Sequence, residues 1–82
     1  MEKTITVALK DGLDAGAIAL LVQAACKYES RIYLSHEERK VNAKSIMGMM
    51  NMVVNNGTEV TVNAEGADEA EAIAEIERLL TE

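Results

Sequence analysis

Few side chains in this 82-residue chain are equipped for covalent chemistry. The one histidine, His36, stands beside Glu37 and Glu38 in a polar cluster, which offers fewer ligands than a metal site needs and reads as a solvated turn. No metal site is expected. The one cysteine, Cys26, ends an Ala- and Leu-rich stretch and reads as a small buried hydrophobe in a reducing compartment. Asp14 and Ser45 remain, and each stands directly before residues with helical spacing, where a side-chain oxygen can accept the free N–H groups of a first turn. Both are expected to be helix caps.

Ser45 has an unusual neighbourhood. The stretch Ile46-Met47-Gly48-Met49-Met50-Asn51-Met52-Val53 is apolar around more of its circumference than one core face requires. Met49, Met52 and Val53 suit the core. Ile46, Met47 and Met50 are then left at least partly exposed, as an apolar patch beside Ser45.

The elements that position these residues follow from the hydrophobic pattern. Residues 4–9 alternate polar with apolar and are rich in β-branched side chains, which predicts a strand ended by Lys10-Asp11-Gly12. Residues 14–27 set Ile18, Leu21, Val22, Ala25 and Cys26 at helical spacing. Strands are predicted at 31–35 and 39–43, joined as a hairpin through residues 36–38, and the short helix follows at 46–53. Asn56-Gly57 signals a tight turn into a strand at 58–64. Asp68 with Glu71 resembles a capping box ahead of a last helix, whose inward stripe is Ile73, Ile76 and Leu80. The order is βαββαβα. It implies one α+β domain over residues 1–82, an open-faced two-layer sandwich of a four-stranded antiparallel sheet with three helices on one face.

Composition narrows the classes of function. A chain this short supports one thin core and no deep cleft, so a binding or regulatory module is expected ahead of an enzyme, and no cofactor is expected. At 49% hydrophobic with no Trp, Phe or Pro, the core must be built from Ile, Leu, Val, Met and Ala. No apolar run approaches the roughly 18 residues that a membrane span requires, and Glu2 and Lys3 follow Met1 without a signal-like segment. A cytoplasmic protein is expected. The formal net charge is −6, and residues 46–82 hold one basic and eight acidic groups against seven and six in residues 1–45. That balance, with only two tyrosines for base stacking, argues against nucleic-acid binding.

Two tracts carry a family resemblance. Lys40-Val41-Asn42-Ala43-Lys44-Ser45-Ile46-Met47-Gly48-Met49-Met50, followed by Asn56-Gly57-Thr58-Glu59-Val60, resembles the serine-phosphorylation region of the HPr/Crh family, and length and element order agree over essentially the whole chain. Gly12-Leu13-Asp14-Ala15-Gly16-Ala17 resembles the family's active-site segment, but Asp14 stands where the phosphorylated histidine belongs. Gly16 replaces the family's arginine, and Ala17 its proline. Histidine phosphocarrier chemistry needs an imidazole acceptor and a guanidinium to hold the phosphoryl group. Here neither is present.

The resemblance implies a regulatory protein phosphorylated on Ser45 by an HPr kinase/phosphorylase and acting on a catabolite-control transcription factor. Ile46, Met47 and Met50 would form the partner-binding surface, with Asp14 and Gly16 marking a degenerate active site. A monomer or weak dimer is expected. Two alternatives stay open: a phosphotransferase component that carries phosphate on Asp14, and an HPr-like binding module that is not phosphorylated. Gly16 bears on the choice of partner, because the family's arginine at that position also contributes to docking.

Overall fold

Apolar alternation builds four strands and helical spacing builds three helices, in the expected order. The computed structural model describes residues 1–9, 14–51 and 56–81. In chain order the elements are β1 (Glu2–Thr6), α1 (Ala15–Cys26), β2 (Arg31–His36), β3 (Arg39–Asn42), α2 (Ile46–Met50), β4 (Glu59–Glu65) and α3 (Glu69–Thr81). Met52 and Val53, read from the sequence as core residues, lie outside the described residues.

The sheet runs β1-β4-β2-β3, with every neighbour antiparallel. Ile5 sits opposite Val60, and Leu34 lies between Val62 and Val41, so one face of the sheet is a continuous apolar surface. That face receives Leu21 from α1, Met49 from α2, and Ile76 and Leu80 from α3, all of them fully buried. The opposite face is polar: the Thr4 and Thr61 hydroxyls lie 3.2 Å apart, and the Lys40 ammonium sits 4.7 Å from the centre of the Tyr33 ring. Burial on one side only is what the alternation demands.

Regular β1 stops at Thr6, short of the expected 4–9, yet its pairing continues through a turn on the neighbouring segment. The Val7 N–H donates to the Thr58 carbonyl at 2.9 Å, and the Gly57 N–H donates to the Val7 carbonyl at 2.8 Å. Asn56 then completes the edge, accepting the Leu9 N–H at 2.9 Å on Oδ1 and donating to the Leu9 carbonyl through its amide nitrogen. Gly57 has φ +88°, which a side chain would strain.

Two expectations are corrected. Cys26 is exposed and not a buried hydrophobe, because the inward stripe of α1 runs through Ile18, Leu21, Ala24 and Ala25. The helix is rotated so that Val22 is half-buried and the next turn of that row, Cys26, faces outward. Asp68 does not form the expected capping box. Its carboxylate accepts the backbone N–H groups of Glu29 at 2.9 Å and Ser30 at 3.0 Å, together with the Ser30 hydroxyl, and so ties the α1–β2 turn to the head of α3. Gly66 makes this close approach possible, since at φ +155° a Cβ would come within 2.7 Å of the Ser30 Cα.

Candidate functional site

Ser45 is carried on a short turn out of β3 that holds it in place before α2 begins. The Asn42 side chain accepts the Lys44 N–H at 2.8 Å, and the Asn42 carbonyl accepts the Ser45 N–H at 3.0 Å. Ser45 itself is extended, with φ −104° and ψ 112°, and its Oγ accepts the Gly48 N–H at 3.3 Å. That is the geometry of an N-cap. The hydroxyl caps the helix while its residue stays exposed to solvent.

Both ends of α2 are fixed from outside. Lys44 donates its ammonium to the Tyr28 carbonyl at 2.7 Å, just past the C-terminus of α1, and the Cys26 Sγ lies 3.9 Å from the Lys44 carbonyl. At the other end Arg39 donates to the Asn51 carbonyl at 3.3 Å, placing a cation where the helix dipole is negative. Neither basic residue stood out in the sequence, because a single Lys or Arg in a turn or strand carries no periodic signal.

Held this way, α2 turns only Met49 fully inward. Ile46, Met47 and Met50 are 50%, 77% and 49% exposed, whereas Met49 is 0% exposed. The three apolar side chains named from the sequence are therefore on the surface of the helix that Ser45 caps. Leu20 of α1, not singled out from the sequence, is also 57% exposed. Its signal was the double leucine: when Leu21 faces inward, a helix must turn Leu20 away.

Asp14 and Gly16 lie at the other end of α1. Asp14 is the N-cap of that helix, with Oδ1 accepting the Ala17 N–H at 2.8 Å, whereas Lys44, next to Ser45, donates to the Tyr28 carbonyl just past the far end of the helix, whose 12 residues rise about 18 Å. The structure does not bring the two positions together. Gly16 is exposed, and among the described residues a Cβ added there would meet only the Asp14 carboxylate, at 3.5 Å. His36 is in the β2–β3 hairpin, its Nδ1 3.3 Å from the Glu59 carbonyl and its Nε2 3.8 Å from Glu37. Among the described residues no group of three His, Cys, Asp or Glu side chains is arranged to hold a metal ion.

Comparison with known proteins agrees with this fold. A family model described as the PTS HPr component phosphorylation site matches residues 1–82. The HPr-like protein Crh of Bacillus subtilis (strain 168) is 46% identical over 76 residues, covering 93% of this chain and 89% of the relative. The crystal structure of the phosphocarrier protein HPr from Bacillus anthracis superposes with a TM-score of 0.93 at 36% identity, covering 98% of this chain and 95% of that one. A crystal structure of Crh from Bacillus subtilis, a dimer with a swapped domain, gives a TM-score of 0.78 at 42% identity, covering 93% of this chain and 83% of that one.

Proposed function

This chain belongs to the HPr family, and we propose that within it the chain is a regulatory protein of the Crh type, phosphorylated on Ser45 and working through protein contacts in carbon catabolite regulation. The observation that carries this reading is the exposed Ser45 hydroxyl at the head of α2, flanked by Ile46, Met47 and Met50 on the surface. A phosphoryl group there adds about −1.5 to −2 charges beside an apolar patch. Partners that read both features would distinguish the marked chain from the unmarked one.

In this reading an HPr kinase/phosphorylase transfers the terminal phosphoryl group of ATP to the Ser45 Oγ, and a catabolite-control transcription factor reads the product. Gly16 shapes the second step, because docking cannot draw on a guanidinium at that position. The chain is not itself an enzyme, and it needs no cofactor. We place it in the cytoplasm, where ATP and such a kinase reach Ser45; no helix among the described residues is long and apolar enough to cross a membrane. By analogy with the dimeric Crh structure, a monomer in equilibrium with a weak dimer is proposed.

Loss of histidine phosphocarrier activity follows from Asp14, Gly16 and Ala17. Phosphate carriage on Asp14 is the competing reading, and the cap disfavours it: one carboxylate oxygen is already held by the Ala17 N–H. Radiolabelling separates the readings. The chain is incubated with ATP and a purified HPr kinase, and separately with phosphoenolpyruvate and enzyme I. Acid-stable label on Ser45 is the expected result, whereas hydroxylamine-sensitive label on Asp14 overturns it. A chain labelled by neither system is an HPr-like binding module without phosphorylation.

A further inference from the structure

We propose that Met47 and Met50 form a peroxide-sensitive modification site whose oxidation switches the α2 surface from apolar to polar. The proposal rests on the reading of that surface as the docking face. It starts from a difference among neighbouring methionines, for Met47 is 77% and Met50 49% exposed while Met49, between them, is 0% exposed. Two thioethers three residues apart share one face of the helix, beside the Ser45 cap. Peroxide reaches those two sulfurs and not the buried one.

The chemistry balances with one co-reactant per sulfur, a hydroperoxide. The thioether lone pair attacks one peroxide oxygen, the O–O bond breaks and an S–O bond forms. The proton on the transferred oxygen passes to the departing oxygen, which leaves as water when the oxidant is hydrogen peroxide. Sulfur is oxidised by two electrons and the peroxide is reduced. The sulfoxide is polar, and methionine sulfoxide reductases return it to the thioether. Because Met49 anchors α2 in the core and is shielded, oxidation alters the surface and leaves the fold intact.

The test uses the full chain carrying Cys26→Ser, since the exposed thiol also reacts with peroxide. Tandem mass spectrometry after hydrogen peroxide treatment should find Met47 and Met50 oxidised on the order of tenfold faster than Met49. Retention on a phenyl column should fall, return after reductase treatment, and fall less with peroxide in the M47L/M50L variant, in which Met1, 57% exposed, is still oxidised. Circular dichroism should stay native. Labelling of Ser45 by ATP and HPr kinase should drop about fivefold on oxidation and recover on reduction, whereas M47L/M50L, whatever its own starting rate, should not respond to peroxide. Oxidation of Met49 at the rate of Met47, or unchanged retention, overturns the site, and equal labelling of oxidised and reduced chains overturns the switch. If the untreated chain takes no label, the Ser45 reading fails instead, and the oxidation rates and retention decide the site.

Discussion

Asp14 Oδ1 accepts the Ala17 N–H at 2.8 Å, a bond that a proline at position 17 could not donate. The carboxylate at position 14 and the non-proline at position 17 are thus a matched pair, and among the described residues Gly16 between them leaves room for a side chain. A helix cap occupies the segment that resembles the family's carrier site, and among the described residues nothing sterically blocks a side chain at position 16. The triple variant D14H/G16R/A17P should accept label from phosphoenolpyruvate and enzyme I as an acid-labile phosphoramidate, whereas the parent chain should not. A folded triple variant that takes no label would show that the loss extends beyond these three positions.

The Ser45 cap has a stability consequence apart from any phosphorylation. Its bond to Gly48 is long at 3.3 Å, so Ser45→Ala should cost about 0.5–1 kcal/mol in urea denaturation while abolishing the label from HPr kinase. Ser45→Asp should keep the cap and still take no label. Equal labelling of all three chains would move the modification elsewhere.

Met47 and Met49 lie two residues apart, yet they should behave as different kinds of residue. Met49 is fully buried, and Met49→Ala should lower stability by about 2–4 kcal/mol through lost burial and the cavity left behind. Met47→Asp places a charge on a largely exposed position and should change stability by less than about 0.5 kcal/mol. On the proposed function, it should nevertheless weaken capture of the Ser45-phosphorylated chain by a catabolite-control transcription factor, measured by titration calorimetry.

Asp68 makes the fold acid-sensitive. The Ser30 hydroxyl first, and then the Glu29 N–H, hold its carboxyl below the ordinary value of 3.8. Because the folded value lies below the unfolded one, this contribution is fully present above the ordinary value and is lost as pH falls through the lower folded value. Ser30→Ala should raise the Asp68 titration midpoint, followed by carboxyl carbon NMR, and flatten the loss of thermal stability as pH falls below the ordinary carboxyl value. An unmoved midpoint would mean that the hydroxyl bond does not govern the titration.

Tyr28 sits beside the same α3 surface and is shifted in the opposite direction. Desolvation first, and then the Glu75 carboxylate, push its phenol above the ordinary 10.0. The folded value is the higher one, so the associated stability is present below pH 10 and is lost as pH rises through the folded value. Ultraviolet difference titration should show Glu75→Gln lowering the Tyr28 midpoint without returning it to normal, because desolvation persists. A midpoint indifferent to Glu75→Gln would rule out the carboxylate as a cause.

The order of elements, the α+β class, the caps at Asp14 and Ser45, and the surplus of apolar residues that puts Met47 and Met50 outside were all legible along the chain. These are local properties. A cap depends on the three residues that follow it, and alternation or helical spacing is complete within one element. How the elements meet was set by packing between them. Cys26 is exposed because packing fixed the rotation of α1 about its axis, and spacing alone allowed either side of the stripe to face in. The Asp68 carboxylate turned from its own helix to Glu29 and Ser30, partners 39 and 38 positions away, because Gly66 let the two turns approach. Distance along the chain likewise hid the separation of Asp14 from Ser45, which lie toward opposite ends of α1.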